Sequence, residues 1–173
     1  MKKNIITRKI TTEDAAAYLS LALQLDSESH FRAYEPGERP VSISGMRDYI
    51  SKLLDSRNSM IFLAYSDNIL CGYLEAIGGT YNRNRHSVHV NLAVLNEYAG
   101  IGAATSLFEN LFNWAYVIKI HRIDLTVFTY NTPAINLYKK LGFETEGIKK
   151  DSFKVDGAFV DEYIMSKFLS TAN

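Results

Sequence analysis

Cysteine is almost absent from this sequence. Cys71 is the only one among 173 residues, so no intramolecular disulfide and no cysteine-rich zinc site can form, and a reducing compartment is the natural home. Net charge is missing too: nineteen Lys and Arg cancel nineteen Asp and Glu. A nucleic-acid binder normally needs a strong basic excess to meet phosphates, so that class is excluded. No apolar run approaches the ~20 residues that a membrane helix needs. Met1-Lys2-Lys3-Asn4 begins basic, but only Ile5-Ile6 follows before polar residues return, which is not a signal peptide. His86, His89 and His121 lack the spacing of a metal site, and no metal is expected. The three prolines and ten glycines mark turns rather than a linker, and no repeat or low-complexity tract interrupts the chain. The expectation is one domain over 1–173, cytoplasmic, with neither nucleic acid nor membrane as partner and with a homodimer left open.

What is present is a regular alternation of elements. Ile5 to Ile10 reads as a strand, and Thr11-Thr12-Glu13-Asp14 gives a capping signal before Ala15, Leu19, Ala22 and Leu23 at helical spacing. Periodicity dissolves from Asp26 to Pro40, and Ser44 is placed to cap a second helix carrying Met46, Tyr49, Ile50 and Leu53. Met60–Tyr65 and Ile69–Ile77 flank a Ser66-Asp67-Asn68 turn, and Ser87–Leu95 suits a central strand. After Gly100-Ile101-Gly102 the period turns helical, with Ala104, Leu107, Phe108, Leu111 and Ala115 on one face. Ile123, Leu125 and Val127 form another strand. Asn131-Thr132-Pro133 opens a helix that Gly142 stops, and two strands around 143–154 and 158–168 follow, joined by Val155-Asp156-Gly157. The order β-α-α-β-β-β-α-β-α-β-β predicts an α/β fold, a mixed, mostly antiparallel sheet flanked by helices.

Two segments carry chemistry. The first runs Ala99-Gly100-Ile101-Gly102-Ala103-Ala104-Thr105, a small-residue loop opening a helix after a strand. Free backbone N–H groups and the helix dipole favour an anion there, and small side chains let a pyrophosphate approach. The Gly-Lys-Ser/Thr of a P-loop does not follow, and the preceding strands are not the βαβ unit of a dinucleotide fold. The second segment is Asn131-x-x-Ala134-x-x-x-Tyr138-x-x-x-Gly142-Phe143, an amide at a helix mouth with a phenol two turns on. Each has a bland alternative: glycines before a helix are often a turn, and Tyr138 could be core.

Together the segments resemble the GCN5-related N-acetyltransferase (GNAT) family. Leu125-Thr126-Val127 through Gly142-Phe143 looks like the family segment in which an Asn precedes a Tyr by seven residues, and Glu146-Gly147 and Val160-Asp161-Glu162-Tyr163 extend the likeness to bacterial members with small-molecule amine acceptors. The resemblance makes the glycine loop the pyrophosphate loop for acetyl-CoA, with Gly102 and Ala104 on the last small positions of Gln/Arg-x-x-Gly-x-Gly/Ala. Ala99 then stands where the family has a long polar side chain; an alternative register starts at Glu97. It also implies that the strand at Leu92, Ala93 and Val94 splays from its neighbour and offers backbone groups to the pantetheine arm. Asn131 orients the cofactor, and Tyr138 protonates the departing thiolate. Some members carry a glutamate five residues before the Asn, where this chain has Thr126. Glu75, or a water held by Asn91 or His89, is then the candidate base, although Glu75 also suits a hairpin salt bridge. Glu35 and Glu38, in the acidic stretch 26–40, are the candidate acceptor residues. The implied reaction is direct attack of an amine on acetyl-CoA. A non-catalytic acyl-CoA-binding module, which Ala99 and Thr126 favour, and a protein N-terminal acetyltransferase are the alternatives.

Overall fold

The computed structural model describes residues 4–40 and 42–170. Strand β1 (Ile5–Lys9) leads through a 3-10 turn into helix α1 (Ala15–Glu28). The Asp14 carboxylate accepts from the Thr11 backbone N–H at 2.8 Å and from both terminal nitrogens of Arg8, which fixes that entry. Helix α2 (Ile43–Asp55) is capped by Ser42 rather than by the expected Ser44. Ser42 has the extended backbone a cap requires and its Oγ accepts from Gly45 N at 3.1 Å, whereas Ser44 already lies inside the helix. Strands β2 (Met60–Ser66) and β3 (Ile69–Gly78) are joined by Asp67 and Asn68, both at positive φ, the two-residue hairpin geometry whose twist suits the flanking strands.

Strand β4 (Ser87–Val94), helix α3 (Ala103–Val117), β5 (Arg122–Phe128), α4 (Thr132–Lys140), β6 (Glu144–Val155) and β7 (Ala158–Phe168) complete the expected order. The seven strands form one sheet, β1-β2-β3-β4-β5-β7-β6, in which only β4 and β5 run parallel. The mixed, mostly antiparallel sheet is therefore as the sequence predicts.

Helices cover both faces. Trp114 of α3 meets Phe62 of β2 at 6.1 Å between centroids, and Tyr138 of α4 meets Phe108 of α3 at 5.9 Å, so α3 and α4 share one face. Tyr18 of α1 packs edge-on to Tyr73 of β3 at 5.0 Å on the other. Period-2 alternation along β3 puts Tyr73 and Glu75 toward α1 and α2, and Leu74 and Ala76 toward α3. In α3 the buried alanine of the first turn is Ala103, not the expected Ala104, because Ala103 stands four residues before Leu107 on the same face.

Candidate active site

The one parallel pair in the sheet is also its break. β4 and β5 are in register only from Ser87, Val88 and His89 to Arg122, Ile123 and Asp124. Past that point β4 continues to Val94 and β5 to Phe128 with no pairing between them. The closed end is tied by His89 Nδ1 and Asp124 Oδ1 at 2.8 Å and by Ser87 Oγ donating to Asp124, while Arg122 reaches the other way, over β7, to Glu146 of β6. Burial raises the Asp124 pKa, but His89, Ser87 and Arg122 together outweigh it and hold the carboxyl below its ordinary value. The Nδ1 of His89 is thereby engaged at the clamp.

Backbone parity decides what lines the gap. Gly79 N donates to Ser87 O and Leu95 N to Cys71 O, so the odd-numbered residues of β4 bond to β3. Leu92 and Val94 turn their N–H and C=O toward the gap. Ala93, expected to join them, faces β3 instead. On the opposite edge Thr129 N donates to Asp161 O, so odd positions of β5 face β7 and Thr126 and Phe128 face the gap.

The glycine loop stands at the end of β4. Gly100 and Gly102 have φ of 75° and 95°, and a Cβ on either would meet nothing within 4 Å. Their conformation, not crowding, calls for glycine, and the space over them is open. Helix α3 starts at Ala103 with no side-chain cap, and its first internal bond is Ser106 N to Gly102 O at 3.0 Å. The N–H groups of Ala103, Ala104 and Thr105 precede that bond and have no intrahelical acceptor. Fifteen residues of aligned peptide dipoles lie behind them. Ala99 and Gly100 are exposed and Ile101 half-buried beside them. The loop residues thus fit a pyrophosphate by donor supply, by open space and by dipole.

Tyr138 is buried against Phe108 and Phe143 on the α3 side of the sheet. Burial alone pushes its pKa up to about 12. Asn131 is the cap of α4, its Oδ1 accepting from Ala134 N at 3.3 Å, which leaves its amide donors free of protein partners among the described residues. Glu75 is on the opposite face. Its carboxylate accepts from the Tyr49 hydroxyl and, at 3.4 Å, from Asn91, its cross-strand partner.

The segment from 26 to 40 resolves into one buried ion cluster and an exposed rim. Asp26, buried, takes Arg32 at 2.8 Å and Arg39 at 2.5 and 3.0 Å. Arg32 also donates to the Tyr73 hydroxyl. Glu35 and Glu38 are exposed, and Glu38 accepts from the Glu35 backbone N–H at 2.9 Å.

Sequence reasoning missed Glu162 of β7. It is 5% exposed and accepts from Ser152 Oγ at 2.8 Å and Lys149 at 3.2 Å. Burial pushes its carboxyl up, but Thr126, Ser152 and Lys149 together hold it below its ordinary value. A carboxylate from β7 therefore sits on the Thr126 hydroxyl, while the one carboxylate of β5, Asp124, is taken up at the closed end. The signal was the acidic pair Asp161-Glu162 within a largely apolar strand. Among the described residues no group of three or more His, Cys, Asp or Glu could hold a metal ion, and no helix is long and apolar enough to cross a membrane.

A family model, the acetyltransferase (GNAT) family, matches residues 21–143. The L-amino acid N-acetyltransferase AaaT of Escherichia coli is 32% identical over 120 residues, covering 67% of this chain and 72% of that protein. An acetyltransferase of the GNAT family from Streptococcus pneumoniae superposes with a TM-score of 0.91 at 25% identity, over 96% of this chain and all of that one. A GNAT superfamily phosphinothricin acetyltransferase from Sinorhizobium meliloti, solved in complex with acetyl-CoA, gives a TM-score of 0.83 at 19% identity, over 98% and 89%.

Proposed function

Because this chain belongs to the acetyltransferase (GNAT) family, we propose that it transfers the acetyl group of acetyl-CoA to a primary amine of a small molecule by direct attack. The observation that carries this reading is the gap between β4 and β5, with the uncapped start of α3 at its mouth and Tyr138 packed on α3. The donors of Ala103, Ala104 and Thr105 hold pyrophosphate, and Leu92 and Val94 pair through backbone with the pantetheine arm. When bound, acetyl-CoA supplies the activated acyl group. A fixed N–H of β4 directed at the carbonyl stabilises the charge that develops there without reorganisation.

Tyr138 donates its proton to the leaving thiolate. With its pKa at about 12 the phenol is fully protonated at neutral pH, as that role requires. Asn131 directs its free amide donors to the cofactor. Glu75 takes the amine proton. It lies on the acceptor face, one strand from the gap, and, unlike Asp26 and Glu162, has only neutral partners among the described residues. Glu35 and Glu38 form an acidic rim that raises the local concentration of a cationic amine. The relative named for L-amino acids supports a small amine acceptor.

A non-catalytic acyl-CoA-binding module is the second reading, and Ala99 is the observation that favours it: the exposed loop position offers no polar side chain. Thiol release from acetyl-CoA over a mixed panel of amines separates them. Steady release means enzyme, and tight binding without release means module.

A further inference from the structure

Three aromatic rings continue the β4–β5 gap on the Glu75 face. Phe128, the last residue of β5, has its backbone on the gap, and period-2 alternation puts its side chain on the side of Asp124 and Thr126. Tyr130 stacks on it at 5.6 Å and 21°, and Phe31, from the segment after α1, meets Tyr130 at 5.4 Å and Phe128 at 6.4 Å. Phe128 is 5% exposed, but Phe31 and Tyr130 keep 44% and 46% of their surface in solvent. Two half-exposed rings side by side at the edge of a reaction gap form a surface that gains from apolar contact.

The charges on this face narrow what makes that contact. Of its buried and half-buried carboxylates, Asp26 is paired with Arg32 and Arg39, Asp124 with Arg122 while hydrogen-bonded to His89, and Glu162 with Lys149. Among the described residues Glu75 is the half-buried one on this face of the sheet without a cationic partner, its contacts being Tyr49 and Asn91, while Glu28 of α1 also lacks a cation but accepts from Gln24 and from the Asn96 backbone N–H. One carboxylate suits one amine, not the several of a polyamine. The rings also fill one another's flanks and leave no central vacancy of the kind that cages an ammonium.

Resting on the acetyltransferase reading, we propose that the acceptor is a monoamine bearing an apolar, preferentially aromatic group, which lies against Phe31 and Tyr130 while its nitrogen is directed toward Glu75. Even a single methylene in an apolar site is worth roughly tenfold in kcat/KM or more, so a phenyl group should be discriminated at least that well.

The experiment measures thiol release at saturating acetyl-CoA with phenethylamine, ethylamine and spermidine. Phenethylamine is expected to exceed both others in kcat/KM by about tenfold or more. In Phe31→Ala, and separately in Tyr130→Ala, the phenethylamine-to-ethylamine ratio of kcat/KM should fall about tenfold through KM. The two positions are exposed and on different elements, so the second variant stands if the first fails to fold. Spermidine as the best acceptor, or an unchanged ratio in the folded variants, overturns this proposal and leaves the acetyltransferase reading intact. Turnover of no amine at all overturns both.

Discussion

Tyr49 of α2 donates its hydroxyl to Glu75 of β3, joining the second helix to the strand that carries the candidate base. Burial, and then the Glu75 charge, push the Tyr49 pKa well above its ordinary value, so it stays a donor through the neutral range. Glu75→Gln removes proton acceptance and should lower kcat by roughly 10²–10⁴-fold. Tyr49→Phe removes only a hydrogen bond, worth about 1.4 kcal/mol, and should cost about tenfold. Steady-state kinetics on both variants check the order. A Glu75→Gln enzyme with wild-type kcat would move the base elsewhere, with Glu162 the next candidate.

Tyr138→Phe keeps the ring contacts with Phe108 and Phe143 and deletes the proton donor. The expected result is a kcat lower by roughly 10²–10⁴-fold with acetyl-CoA affinity nearly unchanged. The pH profile adds a sharper check. A general acid works while protonated, and a pKa of about 12 keeps Tyr138 protonated well past neutrality. No descending limb that depends on Tyr138 should therefore appear below pH 10. A limb near pH 8 that vanishes in the phenylalanine variant would contradict the assignment.

Element type and order were readable because each element states its own boundaries locally. The Thr11 to Asp14 cap, the Asp67-Asn68 turn and the Asn131-Thr132-Pro133 helix start all depend on neighbours a few residues away. The cap at Ser42 was misplaced by two residues because two serines competed and only backbone geometry chose between them. The parallel pairing of β4 with β5 and its early end depend on strands 35 residues apart in sequence, which no local pattern encodes. The same holds for Ala93, whose direction follows from register, and for Glu162, which meets Thr126 only through β7. Loop charges were counted correctly in the sequence, but their pairing on Asp26 is a property of the folded segment.

Gly102→Ala tests the anion site. At φ of 95° an alanine is strained, at a cost of roughly 1–2 kcal/mol. Its methyl would also occupy the open space over the loop. Calorimetry should show CoA binding weakened at least tenfold, and thermal melts a fold that survives with lowered stability. Equal CoA affinity in the folded variant would remove the loop from the site.

Acid should unfold the protein in a defined window. Arg8 holds Asp14 at a pKa of about 2, and Arg122 holds Glu146 at about 2, both below ordinary carboxyl values. Groups with depressed folded pKa values contribute stability above their unfolded values, which is lost as pH falls through the folded ones. The melting temperature should hold between pH 6 and 5 and drop between about 4.5 and 2. Both pairs are partly open to solvent, so each contributes modestly. Arg8→Ala and Arg122→Ala should each flatten the drop, and an unchanged acid slope in both would mean that other carboxylates set it.

Asp26 and the rim acids separate two roles within one segment. Asp26→Asn leaves the guanidinium groups of Arg32 and Arg39 without their common carboxylate in a mostly buried setting. Breaking such a cluster costs about 3–5 kcal/mol. Because Phe31 lies between the anchored positions, the acceptor KM should rise with it while that for acetyl-CoA stays level. Glu35→Gln with Glu38→Gln acts differently, since both side chains are exposed and hold no cation among the described residues. Only the field over the rim changes, so stability should hold and a cationic acceptor should show a higher KM at low salt. That increment should disappear as the Debye length shortens toward about 8 Å at physiological ionic strength. Identical acceptor kinetics in the double variant at low salt would confine acceptor recognition to Glu75 and the aromatic edge.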